Sequence, residues 1–176
     1  TAIGSARLAE SRRSLAERLA SIGELAGRLS RLHDTGEIAL AILAEVKRLV
    51  DNDTIRVYRV EHATGMCEPV AFDGTFLDST TPDMATLRVP IGQGVTGWVA
   101  ANGRPLRLGD AGADPRSLTV GSNDHPESML VVPMLHEDAV HGVIVVSARG
   151  RDRYDADDEV TLSIFAAAAA QAQVNA

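Results

Sequence analysis

A bulky aliphatic side chain recurs at every seventh residue near the start of the chain, at Leu8, Leu15, Ile22 and Leu29. With these at the d positions of a heptad, the a positions are Ser5, Arg12, Leu19 and Ala26. One seam is complete and the other imperfect. The repeat predicts a helix from about Ser5 to Leu32, flanked by Glu10, Arg13, Glu17, Arg18, Glu24 and Arg28. Two arrangements satisfy it: a parallel two-stranded coiled coil entering from an upstream domain, or an amphipathic helix lying on its own domain.

Asp34 stands three residues before Glu37, a helix-start signal. The helix it opens runs from about Thr35 to Val50, with Ile38, Ile42, Leu43, Val46 and Leu49 on its buried face. The period then changes to two. Ile55 to Val60 reads as a strand, Ala63-Thr64-Gly65 as a turn, and Met66 to Phe72 as a second strand. A polar stretch, Asp73 to Asp83, precedes a third expected strand at Ala85 to Val89. A short helix follows at Gly94 to Ala101, then a short strand at Leu106 to Leu108, then a long polar loop from Gly109 to Glu127. The apolar runs Ser128 to Leu135 and Val140 to Ser147 form a hairpin with an expected turn near Asp138-Ala139. Their lack of alternation marks strands covered on both faces. Asp155 caps a last helix, with Asp157, Asp158 and Glu159 in its first turn. Its Ala166 to Ala170 stretch has no bulk, so a neighbour can pack close.

Composition narrows the function classes. The chain has 176 residues, enough for one domain and an extra element, and 45% of them are hydrophobic. Residues 1–50 carry eight Lys+Arg against six Asp+Glu; residues 51–176 carry nine against eighteen. That acidic main body argues against a phosphate-binding surface for nucleic acid. No apolar run reaches the length of a membrane span. The single cysteine, Cys67, excludes an internal disulfide and any all-cysteine metal cluster. A reducing, cytoplasmic setting is compatible with it. Both ends read as helix, so the chain is expected to be a piece of a longer protein.

Two blocks of sequence resemble the GAF domain family. The first is Leu87-Arg88-Val89-Pro90-Ile91-Gly92-Gln93-Gly94-Val95-Thr96-Gly97-Trp98-Val99, followed by Gly103-Arg104-Pro105-Leu106 and Asp110. The second is Ser128-Met129-Leu130-Val131-Val132-Pro133-Met134 with its partner Val140-His141-Gly142-Val143-Ile144. Tyr154 to Glu159 is similar to the family's lead-in to the last helix. The resemblance spans about residues 30 to 175. It implies an α+β fold: an antiparallel sheet of five or six strands, with N- and C-terminal helices packed on one face. The expected division is a dimerising connecting helix, 1–32, and a GAF domain, 33–176. Gly92 and Gly94 suit a sharp strand-to-helix turn, and Gly142 suits a bulge or close backbone packing.

The residues present no nucleophile–base pair, no phosphate-cradling Gly-x₄-Gly-Lys and no His-Glu-x-x-His. The family's enzymatic branch, the free methionine sulfoxide reductases, needs several cysteines. A bilin attachment cysteine commonly has a His beside it, whereas Cys67 has Met66 and Glu68. The cyclic-nucleotide signature lacks its Lys, and only Asp157-Asp158-Glu159 echoes its end. Some haem-binding members use a His in the loop that here holds His125, which makes His125 a candidate axial ligand against the simpler reading of an exposed loop histidine. His136 and His141 would face each other across the hairpin, though no third ligand accompanies them.

The resemblance implies a non-enzymatic sensor module, expected to be cytoplasmic and bacterial. It is expected to form a homodimer through its terminal helices, with seam residues Leu8, Leu15, Leu19, Ile22, Ala26 and Leu29. Signalling domains are expected to be covalently linked on both sides, with no nucleic acid and no membrane contact within this segment. A small-molecule pocket is expected between one sheet face, the short helix and the long loops, drawing on Phe72, Phe76, Arg88, Thr96, Trp98, Asp110, His125 and Ser128. The alternatives are a ligand-free dimerisation domain and a haem sensor using His125.

Overall fold

In the computed structural model, described for residues 1–74, 82–118 and 125–176, helix α1 (Ala2–Leu29) and helix α2 (Thr35–Leu49) precede the sheet. Strands β1 (Thr54–Glu61), β2 (Met66–Gly74), β3 (Val89–Pro90), β4 (Leu106–Leu108), β5 (Glu127–His136) and β6 (Ala139–Arg149) build it. Helix α3 (Gly94–Asn102) lies between β3 and β4, and helix α4 (Ala156–Val174) closes the chain. The six strands are antiparallel throughout, in the order β3-β2-β1-β6-β5-β4.

Helices α2 and α4 begin where an aspartate satisfies their orphan amides. Asp34 accepts hydrogen bonds from the amides of Gly36 and Glu37 at 2.8 and 3.0 Å, which starts α2. Asp155 and Asp158 form a reciprocal capping box on α4, at 2.9 and 3.0 Å. Ile38, Ile42 and Val46 then recur on the buried stripe of α2, and Leu162, Phe165, Ala166, Ala169 and Ala170 on that of α4. The alanines let α4 lie close to β5, α1 and α2.

Alternation along β1 divides the interior in two. Ile55 and Val57 join Leu130, Val132, Ile144 and Val146 against α1, α2 and α4. Tyr58 and Val60 join Cys67, Val131, Val143 and Val145 against α3 and the β4 side. Both faces of β1, β5 and β6 are therefore covered, as the unbroken apolar runs of the hairpin predict.

Three expectations need correction. The strand expected at Ala85 to Val89 is mostly a 3₁₀ turn, Met84–Leu87, opened by Asp83 accepting from the Ala85 amide at 3.2 Å. Only Val89–Pro90 pairs with β2, and Pro90 has no amide to extend the ladder. The hairpin turn sits at Glu137-Asp138, both with positive φ (48° and 63°), which matches the twist of the flanking strands better than Asp138-Ala139. His136 thus pairs with Ala139 rather than His141. A bulge beside Met134/Leu135 nonetheless brings the two imidazoles to 6.0 Å between centroids. Finally, two residues of the expected dimer seam, Ile22 and Leu29, are buried with Leu25 in the chain's own helical cluster. The last two turns of α1 lie on α2 and α4, so these side chains already have their apolar partners.

Gly142 permits the β1–β6 contact. A Cβ there would lie 2.0 Å from Met134 Cε and 2.4 Å from the Tyr58 carbonyl oxygen. The thioether can move; the carbonyl of a central strand cannot. Gly142→Ala is expected to cost about 1–3 kcal/mol, read as a lower urea midpoint with an unchanged slope.

Candidate functional site

The half-domain built on Tyr58 and Val131 contains a cavity of about 250 Å³. Its floor is Arg56 and Tyr58 of β1 with Met129 of β5; one wall is Thr86 to Val89, and another is Gly94 to Thr96 at the start of α3. Ser117 and Leu118 stand at its rim. The path from β3 into α3 uses Gly92 and Gly94 at φ 89° and 63°. Gly97 then brings α3 against β3: its amide meets Gln93 O at 3.0 Å, its carbonyl accepts from Gly92 at 2.8 Å, and a Cβ would lie 2.2 Å from Pro90 O. No side chain caps α3, since Gln93 makes no capping bond.

Arg56 is the charged side chain buried in this half, at 8% exposure. In register it lies between Phe72 of β2 and Val145 of β6. Its Nε has no hydrogen-bond partner, and its Nη2 reaches only the thioether of Met129, at 4.0 Å. Sequence reading passes over this residue because a polar position in an alternating strand normally points to water. The usable signal was the coverage of both faces implied for the neighbouring strands.

Of the pocket candidates, Arg88 and Thr96 line the cavity. Thr96 is buried, while Arg88 pairs with Glu68 at 2.7 Å. Phe72 packs against the same apolar cluster. Phe76 lies outside the described residues. Trp98 does not line the cavity; its ring packs on the cluster and carries the Arg116 guanidinium 4.8 Å from its centroid. Arg116 in turn forks onto Asp114 at 2.9 and 2.7 Å, which holds that carboxyl below its usual range. Asp110 accepts from the Gly112 amide at 3.2 Å and pairs with Arg151 at 3.0 Å.

Ser128 is a tie rather than a ligand contact. Its hydroxyl lies 2.7 Å from Gly150 O and 3.2 Å from Gly109 O and accepts from the Arg153 amide at 3.1 Å. Those bonds fasten two loops, the one after β4 and the one after β6, to the start of β5. His125 is exposed and is not among the cavity's lining residues, so the haem arrangement that needs an imidazole aimed inward does not fit. Among the described residues no group of three or more His, Cys, Asp or Glu could hold a metal ion, and the His136–His141 pair therefore lacks further ligands.

Cys67 is buried in the cluster below the cavity. Burial, with a smaller contribution from the Glu68 charge, pushes its thiol from 9.0 up to about 11. The thiolate is the nucleophile, so Cys67 is expected to resist alkylation from pH 7 to 9 and to react at once when the chain is unfolded. Rapid labelling of native protein by iodoacetamide at pH 8 would contradict this placement. Ser128→Ala is expected to cost about 1–3 kcal/mol in thermal or urea unfolding, because the Arg153 amide and the Gly150 carbonyl lose the hydroxyl they bond to.

The family model for the GAF domain matches residues 34–173. Protein YtsP of Bacillus subtilis (strain 168) is 32% identical over 82 residues, which are 47% of this chain and 49% of that protein's length. The GAF domain of a phosphoenolpyruvate-protein phosphotransferase from Coxiella burnetii superposes with a TM-score of 0.70 at 18% identity, over 90% of this chain and 94% of that one. A free methionine-R-sulfoxide reductase from Neisseria meningitidis, solved with its substrate, gives 0.69 at 18% identity, over 88% and 86%. Identities of 18% show the fold, shared here by a GAF domain of a phosphotransferase and by a reductase. The match of the family model over most of the chain decides the family: this chain belongs to the GAF domains.

Proposed function

We propose that this domain is the sensor of a larger signalling protein and passes its state to neighbouring domains through a homodimeric helical interface. Relatives with this fold serve as sensory and regulatory modules in signalling and phosphotransferase proteins. The observation that carries the dimer is on α1. Its last two turns are fixed in the core, while Ile3, Leu8, Leu15 and Leu19 are exposed at 71, 56, 49 and 43%. Leu8, Leu15 and Leu19 keep heptad spacing on one face, the arrangement a second helix covers. The interface seam is therefore Leu8, Leu15 and Leu19, with half-buried Ala26 at its inner end.

The sheet supplies the link from ligand to helix. A molecule in the cavity touches α3 and one face of β1; α1 rests, through α2 and α4, on the other face. Differential binding to two arrangements of α3 and the adjacent loop biases the helical pair. We read the role as regulatory and not catalytic: the enzymatic branch of the family depends on cysteine exchange, and the one thiol here is buried and held protonated. We place the domain in the cytoplasm, a setting compatible with its single free thiol.

Light scattering tests the dimer. The wild-type chain is expected to be dimeric, and Leu15→Asp with Leu19→Asp monomeric, with thermal unfolding of the domain retained. A wild-type monomer at micromolar concentration, or a double variant that stays dimeric, overturns the proposal.

A further inference from the structure

We propose that the cavity beneath α3 binds a small organic carboxylate, and that Arg56 is the residue that selects its charge. The inference rests on the sensor reading above and names the chemistry sensed.

A guanidinium stays protonated at any physiological pH, so it cannot escape burial by neutralising as a lysine can. Burying it without a counter-charge destabilises the fold. Arg56 is 92% buried with Nε unpartnered and Nη2 on a thioether, a weak acceptor. Carboxylates of the surrounding elements are committed elsewhere: Glu68 holds Arg88 at 2.7 Å, Asp73 holds Lys47 at 2.7 Å, and Asp114 holds Arg116 through both oxygens. Among the described residues none pairs with Arg56. Its fork is thus an unfilled half of an ion pair.

The start of α3 faces the same space. Gly94, Val95 and Thr96 line the cavity, and the helix, nine residues long, has no side-chain cap. Its first-turn amides and the positive end of its dipole favour an anion there. Two independent features, a buried unpaired guanidinium and an uncapped helix start, therefore converge on one volume.

Size and lining choose among anions. The volume of about 250 Å³ lies below the ~300–1,000 Å³ usual for drug-sized ligands, which favours a small acid over a nucleotide. Tyr58, Leu87, Val95 and Met129 give it an apolar body. With Arg88 engaged by Glu68, one guanidinium remains, which matches the single charge and planar fork of a carboxylate better than a phosphate dianion.

Calorimetric titration of the 176-residue chain tests this with acetate, butyrate, hexanoate and benzoate, the matched neutral amides, and inorganic phosphate. At least one carboxylate is expected to bind, and its amide to bind about ten-fold more weakly or worse. Arg56→Met should lose carboxylate binding by a similar factor. Arg56→Lys, which keeps the charge and loses the fork, should also bind more weakly than wild type. Without ligand, Arg56→Met should melt higher than wild type, since an unpaired buried charge is gone; a lower melting temperature would show that Arg56 is a structural prop and overturn the assignment. So would binding by none of the four carboxylates, tighter binding of phosphate, or unchanged binding in Arg56→Met. Equal binding of acid and amide would sink the charge assignment and leave ligand sensing intact, and the dimer experiment fails or succeeds independently of all of these.

Discussion

The structure depends on the coverage of β1 from both sides. One strand sends Ile55 and Val57 into the helical cluster and Tyr58 and Val60 into the cluster under α3. Each fully buried side chain of this kind is worth about 1.5–3 kcal/mol, so both layers hold the strand in place. The other elements are placed by which of the two clusters they close. Helices α2 and α4 begin at aspartate caps and lay their stripes on the first. Helix α3 and the 3₁₀ turn before β3 close the second. The close contact at Gly142 holds β6 on β1, and the Ser128 ties hold the loops at the start of β5.

That arrangement gives meaning to a buried arginine. On a sheet with one wet face, residue 56 would be an ordinary solvent-facing position. On this sheet it lies beneath α3, separated by one peptide unit from side chains that support the helical layer. The proposed signalling route is correspondingly short. It crosses the sheet through adjacent residues of a single strand and reaches α1 through α2 and α4.

Much of the architecture was legible in the sequence. Asp34 and Asp155 announced two helices, period-two alternation announced β1 and β2, and the unbroken runs around Val131 and Val145 announced the central hairpin. Gly92 and Gly94 located the sharp turn into α3, and Gly142 the close approach of β6 to β1. The candidate site was less legible. Arg56 was hidden because alternation assigns faces without saying whether the second face is wet. Trp98 and Ser128 drew attention as a large ring and a motif serine, yet one is a platform for Arg116 and the other a loop fastener. Ile22 and Leu29 fit a heptad as well as Leu8 and Leu15 do. A heptad reports an apolar face and not its partner, and at that end of α1 the partner is the chain's own α2 and α4.

Native-state hydrogen exchange under low urea tests the two-sided anchoring of β1 most directly. The amides of Val57 and Tyr58 should exchange only through global unfolding, with the same free energy as the most protected amides of α2, α4 and β6. Opening of β1 at a lower free energy than α2 and α4 would contradict the account, because the strand would then be held by one layer and not by both.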